Sequence, residues 1–81
     1  MDGNQEHKNT YVGIDISAKE LVVAIGSEGP VWQIVNDEAG VAELIERLRV
    51  EEPTLIVMEP TGGYEIPLAA ALGLAKFAVA V

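Results

Sequence analysis

The sequence predicts an α/β fold, a five-stranded mixed sheet with two helices in the order β-β-β-α-β-α-β. Three observations predict it. Short apolar runs rich in Val and Ile fill the first half, separated by turn chemistry. At Asn36 the apolar period changes from that of a strand to that of a helix. The second half then alternates strand and helix, as crossover connections require.

Tyr11-Val12-Gly13-Ile14-Asp15-Ile16 reads as the first strand and Leu21-Val22-Val23-Ala24-Ile25-Gly26 as the second. Residues Ser17 to Glu20 between them are few enough for a hairpin. Ser27-Glu28-Gly29-Pro30 is turn chemistry again, and Val31-Trp32-Gln33-Ile34-Val35 makes a third strand. Val41, Leu44, Ile45 and Leu48 then recur at i, i+3, i+4 and i+7, predicting a helix over about 38–50. Asn36 or Asp37 can cap it, and Glu52-Pro53 ends it. Thr54-Leu55-Ile56-Val57-Met58-Glu59 is a continuous apolar run, as expected of a strand covered on both faces. After Pro60-Thr61-Gly62-Gly63 a second helix is expected over about 64–75, apolar around most of its circumference and so well buried. Phe77 to Val81 reads as the fifth strand, with Gly73 available to end the helix before it. Residues 1–9 are polar and without period, a frayed tail before one domain over 10–81.

Right-handed crossovers from strand three to four and from four to five, with strand four beside strand one, give the order 3-2-1-4-5. This is the ribonuclease H-like arrangement. The same handedness places both helices on one face. The other face, and the edge of strand five, are left apolar and open, so self-association through the uncovered face or edge is expected.

Composition narrows the function. Apolar residues make up 49% and charged residues 22%, which is globular and not disordered. Thirteen acids against five bases give a net charge of −8, which excludes a self-sufficient nucleic-acid binder working through a basic face. There is no cysteine, so neither a disulfide framework nor a zinc-thiolate site exists. No apolar run reaches membrane-spanning length and the start lacks the apolar stretch of a signal peptide, so a cytoplasmic protein without membrane contact is expected.

Asp15 interrupts an apolar strand, and its carboxylate is expected to be partly desolvated. Glu59 ends another apolar strand. Taken singly, Asp15 is more simply a turn former and Glu59 a solvated strand end. In the order above, however, both lie at the C-terminal ends of neighbouring parallel strands, about 5 Å apart and where open α/β sheets bind ligands. Two carboxylates so placed repel unless one is protonated or a cation bridges them. A hard ion such as Mg²⁺ suits such donors. Thr61-Gly62-Gly63 and Tyr64, opening the second helix, can cradle a phosphate or stack on a base, although a tight turn with positive φ is the plainer reading of the glycines. Trp32 is read as a core or edge-strand residue, and Glu43 and Glu46 as the solvated face of the first helix.

Two segments carry a more specific resemblance. Tyr11-Val12-Gly13-Ile14-Asp15-Ile16-Ser17-Ala18-Lys19 resembles the opening of the DEDD-type transposases of bacterial insertion sequences, the family that includes the Piv invertase. Val57-Met58-Glu59-Pro60-Thr61-Gly62-Gly63-Tyr64-Glu65 is similar to the family's second motif, and is the more specific of the two. The resemblance runs from Tyr11 onward, with Asn36 to Gly40 and the spacing in agreement. It implies a Holliday-junction resolvase-like catalytic domain in which four acids bind Mg²⁺ or Mn²⁺ for DNA strand exchange, DNA being the partner. Asp15 matches the first acid and Glu59 the second. The third and fourth belong to an Asp-x-x-Asp pair beyond the fifth strand, and a further domain supplies a serine nucleophile. With the sequence ending at Val81, the expectation is the N-terminal part of such a domain, binding metal weakly or not at all and inactive alone. Lys76 departs from the family, which usually has Gly there. A sugar-kinase or actin-like ATPase opens on a similar strand, but places Gly and Thr after the Asp where Ile16-Ser17-Ala18-Lys19 stand here. A non-catalytic interaction module is the remaining alternative.

Overall fold

The computed structural model describes residues 9–59 and 62–81. The tail expected over 1–9 lies, except for Asn9, outside the described residues. Strands β1 (Tyr11–Ile16), β2 (Glu20–Ile25) and β3 (Val31–Val35) form an antiparallel meander, followed by α1 (Glu38–Glu51), β4 (Leu55–Met58), α2 (Glu65–Leu74) and β5 (Val79–Ala80). The sheet order is β3-β2-β1-β4-β5, with β2 antiparallel to its neighbours and β4 parallel to both β1 and β5. This is the α/β, ribonuclease H-like arrangement that the sequence predicts.

Period-two alternation sorts the strands into two faces. Val12, Ile14, Ile16, Leu21, Val23, Ile25, Ile34, Ile56 and Met58 point to one side, where Leu44 and Leu48 of α1 and Leu68 and Leu72 of α2 complete a single apolar cluster. Among the described residues no polar side chain is buried in it. Both helices thus cover one face, and β4 is covered on that face alone. The expectation that β4 is covered on both faces is corrected by Val57, 44% exposed.

Asp37 caps α1, its carboxylate accepting from the Gly40 N–H at 2.7 Å. Gly40 is there because a Cβ would run into the Val35 carbonyl oxygen, so the helix start can approach the end of β3 only without a side chain. Helix α2 is less buried than its composition suggests. Ile66 is 65% and Leu74 83% exposed, because nothing among the described residues packs on its outer side. The helix also runs through Gly73 rather than stopping at it. Its end is closed by bonds from Lys76 N–H to Gly73 O and from Phe77 N–H to Leu72 O. This Schellman closure puts Lys76, not a glycine, in the left-handed region at φ 77°. Strand β5 is shorter than expected, since Phe77 is spent leaving this turn. Among the described residues no helix is long and apolar enough to cross a membrane.

Candidate functional site

The face without helices carries the acids. Alternation in β1 puts Tyr11, Gly13 and Asp15 on it, and alternation along β4 does the same for Leu55, Val57 and Glu59. The β1–β4 register pairs Gly13 with Val57 and Ile14 with Met58, and the Glu59 N–H reaches the Ile14 carbonyl at 3.5 Å. One further step of that register sets Glu59 beside Asp15. The two carboxylates line one open depression of about 370 Å³ together with Gly13, Ile14, Val22, Ala24 and Val57. Both residues are exposed. This corrects the expected desolvation of Asp15: its strand is apolar, but the face it points to is open to water.

Backbone bonds hold the neighbourhood of Asp15. The hairpin after it is closed by Ser17 N–H on the Glu20 carbonyl at 3.0 Å and by Glu20 N–H on Ser17 Oγ at 3.1 Å. Asn36, from the junction of β3 and α1, ties this hairpin down. Its Nδ2 donates to Ser17 O at 2.8 Å and its N–H to Lys19 O at 2.9 Å. Sequence reasoning offered Asn36 only as a helix cap. The signal for its other role is the β2–β3 register, Glu20 opposite Val35, which brings the next residue against the hairpin. Glu20 lies on the same face and shares a small recess with Asp15, Ser17 and Val22, a third carboxylate, which opens β2 where the sequence predicts it in the turn. Among the described residues no three acidic, His or Cys side chains converge as a metal cluster.

Beyond Glu59, Thr61 lies outside the described residues. Gly62 and Gly63 take φ of 62° and 94°, with nothing within 4 Å of an added Cβ, so the backbone conformation and not crowding calls for glycine. Tyr64 is half exposed at the start of α2 and makes no capping bond through its side chain. Both described arginines stand elsewhere, on α1. Arg47 pairs with Glu43 at 2.9 Å and lies 5.0 Å from the Trp32 ring, and Arg49 lies 5.7 Å from that of Phe77. Trp32 is thus a half-buried edge-strand residue on the helix side.

Comparison with known families adds one match. A family model described as a transposase, of the DEDD type named for IS110, matches residues 12–81, a span that includes both acids and the loop after Glu59. The comparison with curated proteins gives no match.

Proposed function

The chain belongs to the IS110-type DEDD transposase family, and from that premise we propose that residues 10–81 are the N-terminal part of its ribonuclease H-like catalytic domain. In this reading Asp15 and Glu59 are two of the acids that hold Mg²⁺ or Mn²⁺ for DNA strand cleavage and exchange. The observation that carries it is the register step that sets the two carboxylates side by side on the open face of β1 and β4.

The donors present fit a hard divalent cation: two adjacent carboxylates, open to water, with no thiolate or imidazole among the lining residues. A bound ion of this kind supplies charge stabilisation at phosphodiester oxygens. The chain's own part is to hold two negative groups at the C-terminal ends of parallel strands, Glu59 after β4 and Asp15 beside a hairpin that Ser17 and Asn36 hold closed. The loop Thr61-Gly62-Gly63-Tyr64, one residue beyond Glu59 in sequence, is the segment we assign to DNA contact, its backbone N–H groups for phosphate and Tyr64 for stacking. DNA as partner goes with a cytoplasmic setting.

Two carboxylates are a sparse ligand set, and −8 net charge opposes phosphate. These 81 residues alone are therefore expected to bind Mn²⁺ no tighter than about millimolar, to show negligible duplex affinity at physiological salt, and to cleave no DNA. Water-proton relaxation in a Mn²⁺ titration tests the site: binding should vanish in the Asp15→Asn, Glu59→Gln double variant. Unchanged binding there would falsify the assignment, and robust Mg²⁺-dependent cleavage by the purified chain would refute its inactivity.

A further inference from the structure

We propose that Asn36 is a positioning residue for the Asp15 carboxylate, holding shut the end of the strand pair that carries it. The inference rests on the reading of Asp15 and Glu59 as ligands of a divalent cation, and adds to that site a residue outside the acidic set.

Asp15 stands near an end that can fray. Its partner in β2 is Val22, and beyond it only the pair Ile16 and Leu21 remains before the hairpin. Ladder ends open more readily than ladder middles. An opening that reached Val22 would swing the Asp15 carboxylate away from Glu59. The hairpin is closed by the Ser17 N–H on the Glu20 carbonyl and the Glu20 N–H on Ser17 Oγ. These bonds join residues three apart, so they do not tie the hairpin to the rest of the molecule.

Asn36 ties it from 19 residues away. Its backbone N–H donates to the Lys19 carbonyl at 2.9 Å, carrying the β2–β3 pairing one residue past Glu20 and Val35. Its side-chain Nδ2 donates to the Ser17 carbonyl at 2.8 Å, on the β1 side of the turn. One residue thus clamps both arms. The fold fixes the clamp in turn: Asp37, the next residue, caps α1, and Gly40 lets the start of that helix approach the end of β3. The side chain's target is a carbonyl, so an amide donor fits it where a carboxylate of the same shape does not.

Among the described residues Glu59 has no comparable anchor. Strand β4 ends at Met58, the Glu59 N–H reaches the Ile14 carbonyl only at 3.5 Å, and Pro60 has no N–H to continue the ladder. The pair is one fixed carboxylate and one looser one. Releasing the fixed one leaves a cation no preset ligand.

A Mn²⁺ titration followed by water-proton relaxation, with amide hydrogen exchange on the same 81-residue chain, tests this. Asn36→Ala should speed exchange at Ser17 and Glu20 at least about tenfold, while Val23 and Ile56 in the core keep their protection. It should weaken Mn²⁺ at least about threefold, less than the roughly 10–100-fold typical of a direct outer-shell partner, because Asn36 acts through the backbone. Ile34→Val, a core trim on the strand that leads into Asn36, should leave Mn²⁺ affinity unchanged.

Asn36→Asp separates position from charge. It keeps the shape, removes the donor and adds a negative charge at the acidic end of the sheet. Charge alone would tighten Mn²⁺, so the weaker binding expected here reports position. Should Asn36→Ala fail to fold, Asn36→Asp stands as the test. Hairpin exchange that does not rise overturns the proposal. Faster hairpin exchange with Mn²⁺ affinity unchanged or tighter also overturns it, and leaves the reading of Asp15 and Glu59 intact. Wild-type binding that survives the Asp15→Asn, Glu59→Gln double variant overturns that reading, and the role of Asn36 with it.

Discussion

The two faces of the sheet are built from the same strands and differ in almost everything else. On the helix side, nine strand residues from Val12 to Met58 are at most 6% exposed and join one apolar cluster. On the other side, Tyr11, Val31, Val35 and Val57 are all more than 40% exposed, and Asp15, Glu20 and Glu59 stand among them. Alternation makes this separation possible, since each residue on one face leaves its neighbour free for the other. The covered face supplies the stability. The open face is thereby released to hold charged groups that no core would tolerate.

Four substitutions probe that contrast, each read by urea unfolding with Trp32, the one tryptophan, as reporter. Leu44→Ala, at the centre of the covered side, should cost the most, about 3 kcal/mol. In a domain this small that is a large part of the total stability. Gly40→Ala comes next at roughly 2 kcal/mol, because the added Cβ meets the Val35 carbonyl and the start of α1 must move off β3. Lys76→Gly should act in the other direction. Relieving a left-handed lysine at the end of α2 stabilises by about 1 kcal/mol, which in a domain of this size raises Tm by roughly 4–8 °C. Val35→Thr on the open face should change stability by less than about 0.5 kcal/mol. An open-face change as costly as Leu44→Ala would mean that the face is packed in the free chain, and the contrast would fail.

Much of this was readable from residue order. Val12, Ile14 and Ile16 alternate with Tyr11, Gly13 and Asp15, and Val41, Leu44, Ile45 and Leu48 repeat at helical spacing, so element types and core faces follow from period alone. Strand order followed once strand four was set beside strand one, and that adjacency is what puts Asp15 next to Glu59; the handedness of the two crossovers added only the face that the helices take. The residues that escaped are those whose role depends on a partner far along the chain. Asn36 reads as a cap, yet its amide bonds Ser17, 19 residues away. Gly40 carries no side chain to announce a role, yet it is where the start of α1 comes against the Val35 carbonyl.

The amino-acid order thus determined which segments are strands, which are helices, and which residues of each are apolar enough to be buried, because those are properties of local spacing. It could not say how much of that apolar surface is actually covered. The continuous run Leu55 to Met58 and the all-round apolar α2 both suggested burial on every side, and Val57, Ile66 and Leu74 are exposed. Exposure depends on what the assembled layers leave uncovered. The same assembly opens Asp15 to water on an apolar strand, and forces Lys76 into a left-handed turn so that α2 can close and the chain can return to the sheet as β5.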